Sequence, residues 1–287
     1  MKSYEELIEE LSKYDATIVG QELPPHSTNL MHQLNKKNAK NLRLFNDVCS
    51  RYFKFRKEVS NRKTEDLAEF VDRVVDKTNS YMDYFSTNNP FSHQQDFTSS
   101  IIPEMFYFIF SRIIESTEIP LVVQAQNNLP IECMFDLYGG GRLLFKNKRL
   151  DLSLCKKSKL ALDGVSHDFV IPMLAMEIKT NLDKNMLAGI ENSVSALKRT
   201  FPNCMYFVVS EFADLATDKL NYASTDIDEI YIIRNQKRAS VRGNKNSKNA
   251  INKALVMELA LEAVSLLASI SEEQLTLEKR MKLGKLI

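Results

Sequence analysis

Between Phe169 and Ser210 the chain reads as an apolar run, a helix and a second apolar run. Phe169 to Lys179 has the texture of a strand, and Lys184 to about Arg199 that of a helix. Phe201-Pro202-Asn203 stops the helix, and Cys204 to Ser210 is almost continuously apolar. Two strands joined by one helical crossover return in the same direction, so they belong side by side in a parallel pair. A strand apolar on both faces must also be covered on both. The expected fold class is therefore α/β, a sheet with at least one parallel crossover.

The flanking segments are consistent with that frame. Leu121 to Ala125, Ile131 to Leu137, Arg149 to Leu154 and Ile230 to Ile233 read as further short strands, with Gly139-Gly140-Gly141 as a turn. Upstream, the pattern is helical from Tyr4 to about Phe85. Leu42, Phe45, Val48, Cys49, Tyr52 and Phe53 form one stripe, and Leu67, Phe70, Val71, Val74 and Val75 another. Phe97 to Ser116 reads as a long buried helix, with Pro103 suited to its first turn, and Ala250 to Ile270 as a last long helix. This predicts a helical N-terminal region over 1–90, suited to DNA or subunit contact, and the α/β domain over 91–287.

Some chemistries are disfavoured. Cys49, Cys133, Cys155 and Cys204 form no CxxC pair, and the four histidines show no ligand spacing with them. Lys156 and Lys157 flank Cys155, but no histidine partner marks a thiol enzyme. The glycine run lacks a phosphate-loop lysine. No apolar stretch is expected to reach the length needed to span a membrane, and the acidic, helix-like start from Met1 to Lys13 does not read as a signal peptide. Free thiols suit a reducing cytoplasm.

The informative residues are Asp151, opening one strand, and Glu177 and Lys179, ending the next. Residues two apart in a strand share a face, so Glu177 and Lys179 project together while Ile178 turns into the core. If the strands pair antiparallel, Asp151 lies beside Glu177. Adjacent buried carboxylates repel unless a cation neutralises them. Mg²⁺ takes such oxygens, with the Ile178 main-chain carbonyl, waters and a phosphate oxygen as further ligands. A lysine beside them can orient a water and hold a phosphate. Glu177-Ile178-Lys179 is the only acid-x-Lys triplet in the chain. The plainer reading is a solvated charge pair at a strand end.

The arrangement resembles the PD-(D/E)XK nuclease superfamily. The run from Met176-Glu177-Ile178-Lys179-Thr180 to Met186, then Phe201-Pro202-Asn203 and Val208-Val209-Ser210-Glu211, resembles more narrowly the heterodimeric Type II restriction endonucleases of the BbvCI kind. The likeness is firmest from about Asp96 to Glu211. It implies a restriction-endonuclease-like core and a Mg²⁺-dependent, site-specific deoxyribonuclease subunit of a prokaryotic restriction-modification system. It also implies double-stranded DNA as substrate and a related second subunit, with a homodimer as the alternative. Asp151, Glu177 and Lys179 would be catalytic, and Asp151, Glu177 and the Ile178 carbonyl would hold the metal. Leu150 stands where the family often has proline, and Asp136 competes for the place of the first carboxylate. Glu104, a charge in an apolar helix, would be the acid that the preceding helix often adds, or else an ordinary first-turn glutamate. The rival readings are a DNA-binding module with a degenerate nuclease fold, and a repair or recombination nuclease.

Net charge is only +1, so any DNA contact must come from local basic segments. From Lys36 to Lys63 there are ten Lys or Arg against Asp47 and Glu58; they suit phosphate contact or a solvated face. From Arg234 to Lys253 there are seven and no acid, among many Asn and Gln, a composition suited to reading base edges. Arg234, Lys237, Arg238, Arg242, Lys245 and Lys248 are the expected DNA-binding residues.

Overall fold

The computed structural model describes residues 1–18, 21–60, 66–87, 96–117, 120–136, 142–162, 165–215, 225–242 and 247–282. The boundary expected near residue 90 lies outside them. The helical part comprises α1 (Tyr4–Asp15), α2 (Pro25–Asn35), a 3-10 turn (Ala39–Asn41), α3 (Leu42–Val59), α4 (Leu67–Thr87), α5 (Asp96–Ser99) and α6 (Ile101–Glu115). Next come β1 (Leu121–Ala125), β2 (Asn128–Asp136), β3 (Arg142–Arg149), β4 (Leu152–Leu162) and β5 (Val165–Asp183). The chain continues with α7 (Lys184–Thr200), β6 (Met205–Asp214), β7 (Glu229–Ile232), α8 (Ala239–Arg242) and α9 (Lys253–Lys282).

The central sheet has the order β1-β4-β5-β6-β7. β1, β4 and β5 pair antiparallel, whereas β5, β6 and β7 pair parallel. The expected crossover is thus present, with α7 as its helix, and the sheet is mixed. β2 and β3 form a separate antiparallel hairpin. β3 was not expected: its sequence, Arg-Leu-Leu-Phe-Lys-Asn-Lys-Arg, has little alternation, and its pairing to β2 supplies what local pattern does not.

Strand alternation sorts the core into two layers. Met176, Ile178, Phe207, Val209 and Ile233 face one side, where they join α6, α9 and the N-terminal helices in one buried cluster. Ala175, Tyr206 and Val208 face the other, against Leu187, Ile190, Val194 and Leu197 of α7 and Leu129 and Ile131 of the hairpin. Cys155, alternating with Leu152 and Leu154 of the first layer, lies in this second layer. Its thiol is buried, and burial pushes its pKa up to about 12, so it is not a reactive thiolate.

Two details depart from the sequence reading. Thr180 to Asp183 reads as a loop, yet β5 continues through it because Asn181, Leu182 and Asp183 pair with Phe212, Ala213 and Asp214. Asp183 then caps α7, accepting from the main-chain N–H groups of Asn185 (3.0 Å) and Met186 (2.9 Å). In addition, Phe97–Glu115 is long and apolar enough to cross a membrane by composition. It is a core helix instead, with Phe97, Met105, Phe106, Ile109 and Phe110 buried in the first layer.

Candidate active site

The antiparallel register of β4 and β5 sets Leu152 opposite Met176. Asp151, one residue before β4, therefore reaches the Glu177 end of β5. Its Oδ2 accepts the Ile178 main-chain N–H at 2.7 Å. Lys179 Nζ lies 2.9 Å from Glu177 Oε1 and 3.8 Å from Asp151 Oδ2. The three side chains singled out in the sequence thus converge on one point. Ile178 packs inward among the core side chains.

Asp136 stands at the far end of the hairpin, opposite Arg142, whereas Asn128 and Arg149 form its base near Asp151. At about 3.4 Å per residue those ends are some 25 Å apart. The strand register therefore leaves Asp151 as the carboxylate beside Glu177.

Two further residues complete the cluster. Lys148, on β3, places Nζ 3.2 Å from Glu177 Oε2. Tyr206, on β6, donates its hydroxyl to the same oxygen at 2.7 Å. Neither carries a sequence signal: Lys148 sits in a general run of basic residues, and Tyr206 in an apolar strand. Their parts follow from pairing between segments far apart in sequence.

Electrostatics divide the two acids. Burial raises the Asp151 pKa, partly offset by Lys179 and the Ile178 N–H. Burial acts the same way on Glu177, but attraction to Lys179, hydrogen bonds from Lys179 and Tyr206, and attraction to Lys148 outweigh it and leave the carboxyl below its usual value. Burial depresses Lys179, and the two carboxylates more than restore it, so it is held charged. Two buried or half-buried carboxylates make a donor set suited to a small hard cation. Among the described residues no group of three or more His, Cys, Asp or Glu gathers, so protein side chains would leave much of the coordination to other oxygens.

Glu104 does not join this site. Its Oε2 accepts the main-chain N–H groups of His26 (2.9 Å) and Ser27 (3.0 Å), and its Oε1 accepts the Tyr52 hydroxyl at 2.7 Å. His26 and Ser27 lie in the first turn of α2, which Pro24 leaves without a side-chain cap. Glu104 supplies that cap from a distant helix, satisfying orphan donors where the helix dipole favours an anion. The charge within an apolar helix does have a partner, and the partner is a helix end.

The basic loop needs a similar correction. Arg234 is 3% exposed, and its Nε donates to Glu211 Oε2 at 2.7 Å. It also donates to the Asn249 carbonyl. Lys248 Nζ lies 3.0 Å from the same Glu211 oxygen. Arg234 and Lys248 thus fasten the two ends of the segment to β6. Lys237 and Arg238 are exposed between them. The side chain of Arg242 and all of Lys245 lie outside the described residues. On the expectation that this segment reads base edges, replacing Arg238 by alanine should weaken specific DNA binding by about 1–3 kcal/mol with the fold intact. Arg234→Ala should instead cost about 3 kcal/mol of stability, because it removes a main partner of a buried glutamate. Band-shift titration beside urea denaturation separates the two; equal stability losses would contradict these roles.

The N-terminal basic run is also partly structural. Arg56 is buried, donating to Asp15 Oδ1 at 3.1 Å, and Arg51 stacks over Tyr84 at 4.2 Å. Lys36, Lys40, Arg43, Lys54 and Lys57 are exposed, whereas Arg62 and Lys63 lie outside the described residues.

A mixed sheet with one crossover helix and an acid, acid, lysine cluster at the β4–β5 pair defines a restriction-endonuclease-like α/β core. Residues 144–258 match the family model of the Bpu10I restriction endonuclease. That stretch holds Lys148, Asp151, Glu177, Lys179 and the 234–249 segment. Among solved structures the chain is similar to one described as the native BbvCI A2B2 tetramer. The TM-score is 0.68 at 22% identity, covering 85% of this chain and 96% of that one. The likeness shows the fold. No curated protein sequence matches the chain.

Proposed function

We propose that the chain is one subunit of a Type II restriction endonuclease that hydrolyses one DNA strand with Mg²⁺, beside a related second subunit. The convergence of Asp151, Glu177 and Lys179 within the matched segment carries this reading. Asp151 and Glu177, with the Ile178 carbonyl, would hold the ion. When bound, it supplies a more acidic water and neutralises charge on the phosphate. Tyr206 and Lys148 fix the Glu177 rotamer before substrate arrives. Lys179 keeps its proton between the two carboxylates, orients the attacking water and holds a phosphate oxygen. Lys237 and Arg238 reach DNA from the segment after β7. A prokaryotic cytoplasm is the compartment where such an enzyme meets foreign DNA.

One such site breaks one phosphodiester, so a double-strand break needs two. Purified chain with Mg²⁺ should nick supercoiled plasmid at most, and adding the related subunit should give linear product. Complete linearisation by this chain alone, at stoichiometric amounts, contradicts the heteromeric reading and favours a homodimer. Sequencing the cut ends would give the recognition site.

A further inference from the structure

The charges around Glu177 balance without any metal. Asp151 and Glu177 contribute two negative charges, and Lys179 and Lys148 two positive ones, with every separation given for these pairs at or below 3.8 Å. The lysines hold different oxygens: Lys179 is on Glu177 Oε1, and Lys148 is on Oε2, which also accepts the Tyr206 hydroxyl. A cation seated on the Glu177 carboxylate therefore meets a lysine at either oxygen.

The lysines differ in how they are held. Lys179 lies on the same strand face as Glu177 and also approaches Asp151, so two acids keep it at the site. Among the described residues Lys148 makes one ion pair within 4 Å, to Glu177, and its side chain is 23% exposed against 10% for the glutamate. It comes from the base of the hairpin, two residues before the buried Leu150 that leads into Asp151. The Leu150 N–H donates to Asn127 O at 3.0 Å, and the Gln126 N–H to Asp151 O at 3.0 Å, so the hairpin base is tied to the backbone of the site. Gln126 holds a left-handed conformation there, with φ 54°. Lys148 is thus firmly placed at its backbone, with a long flexible stem and one displaceable contact.

We propose that Lys148 is a placeholder cation for the metal and a positioning residue for the reaction. In the metal-free site its ammonium neutralises Glu177 and keeps the carboxylate aimed inward. A divalent ion on Glu177 displaces it, and the freed ammonium then faces an approaching phosphate. The cluster changes from neutral to a net charge of plus two only when loaded, so phosphate is drawn in chiefly after the metal. This inference rests on the metal-site reading of Asp151 and Glu177.

The two effects of losing Lys148 run in opposite directions, which a structural prop would not produce. Binding of Mn²⁺ to the full chain without DNA can be followed by the electron paramagnetic resonance of the free ion. Glu177→Ala identifies the site by abolishing it. Lys148→Met removes the competing charge at similar length, so Mn²⁺ should bind at least about tenfold tighter. Nicking at saturating Mn²⁺ should fall on the order of tenfold or more, because the phosphate loses a charged donor. Lys148→Arg keeps the charge and should restore the wild-type ion affinity. An unchanged or weaker Mn²⁺ affinity in Lys148→Met overturns the placeholder role while leaving the metal site standing. If the wild-type chain shows no Mn²⁺ binding that Glu177→Ala removes, the site reading fails and takes this one with it.

Discussion

Glu177→Ala should lower cutting by at least about a thousandfold while leaving affinity for cognate DNA undiminished. Loss of several kcal/mol of transition-state stabilisation corresponds to a factor of that order. The physical reason is position. Glu177 is 8% exposed, faces Asp151, and has an oxygen toward each of two lysines. Removing it leaves Lys148 and Lys179 without their shared anion, so the vacated site is more attractive to phosphate. A filter-binding titration and a nicking time course on one preparation would show the split. Retained cutting of both strands by the assembled enzyme would mean that the glutamate has no part in the chemistry.

The second large effect concerns stability. Glu104 is fully buried and links α2 to α3 through His26, Ser27 and Tyr52. Arg56 donates to Tyr52 Oη at 3.0 Å and to Asp15 Oδ1 at 3.1 Å, which extends the chain of contacts to α1. Glu104→Ala should cost about 3–5 kcal/mol, since it strands two buried main-chain donors and the Tyr52 hydroxyl. Burial, opposed by Arg56 and Tyr52, raises the Glu104 pKa to about 7, so an uncharged amide is a close substitute. Glu104→Gln should therefore lose far less stability and cut DNA at the wild-type rate per folded molecule. Urea midpoints together with nicking rates would decide it. A folded Glu104→Gln variant that no longer cuts would return Glu104 to the metal site.

The same network sets an acid limit. Burial depresses His26 from 6.5 to about 3, against the opposing pull of the Phe97 carbonyl at 2.8 Å from Nδ1, while Nε2 lies 2.9 Å from the Tyr81 hydroxyl. The unfolded chain then binds the extra proton between about 3 and 6.5, and stability falls as pH drops through that range. Glu104 works in the opposite sense between 4.5 and about 7, where the folded chain binds the extra proton and gains stability as pH drops. The two contributions largely cancel between 4.5 and 6.5, and below 4.5 only the histidine loss remains. Stability should be nearly level through the first window and fall below it, with His26→Gln blunting the fall.

Much of the core was legible from the chain because its signals are local. The β5–α7–β6 succession shows in its apolar runs, and the Glu177 and Lys179 alternation puts both on one face. What could not be read was which partner a buried charge has. Glu104 and Arg234 carry the same signature as a functional residue, a charge among apolar neighbours. Their partners lie 78 and 23 positions away, at His26 and Glu211. Lys148 and Tyr206 were missed for the converse reason. A lysine in a basic stretch and a tyrosine in an apolar strand look ordinary until the hairpin base and β6 are set beside Glu177.

Anomalous diffraction from crystals grown with Mn²⁺ asks most directly whether this cluster holds a divalent ion. The expected result is a peak about 2.1–2.3 Å from carboxylate oxygens of both Asp151 and Glu177, with Lys179 alongside. A fully occupied ion elsewhere in the chain, with those two carboxylates still paired only to lysines, would contradict the account.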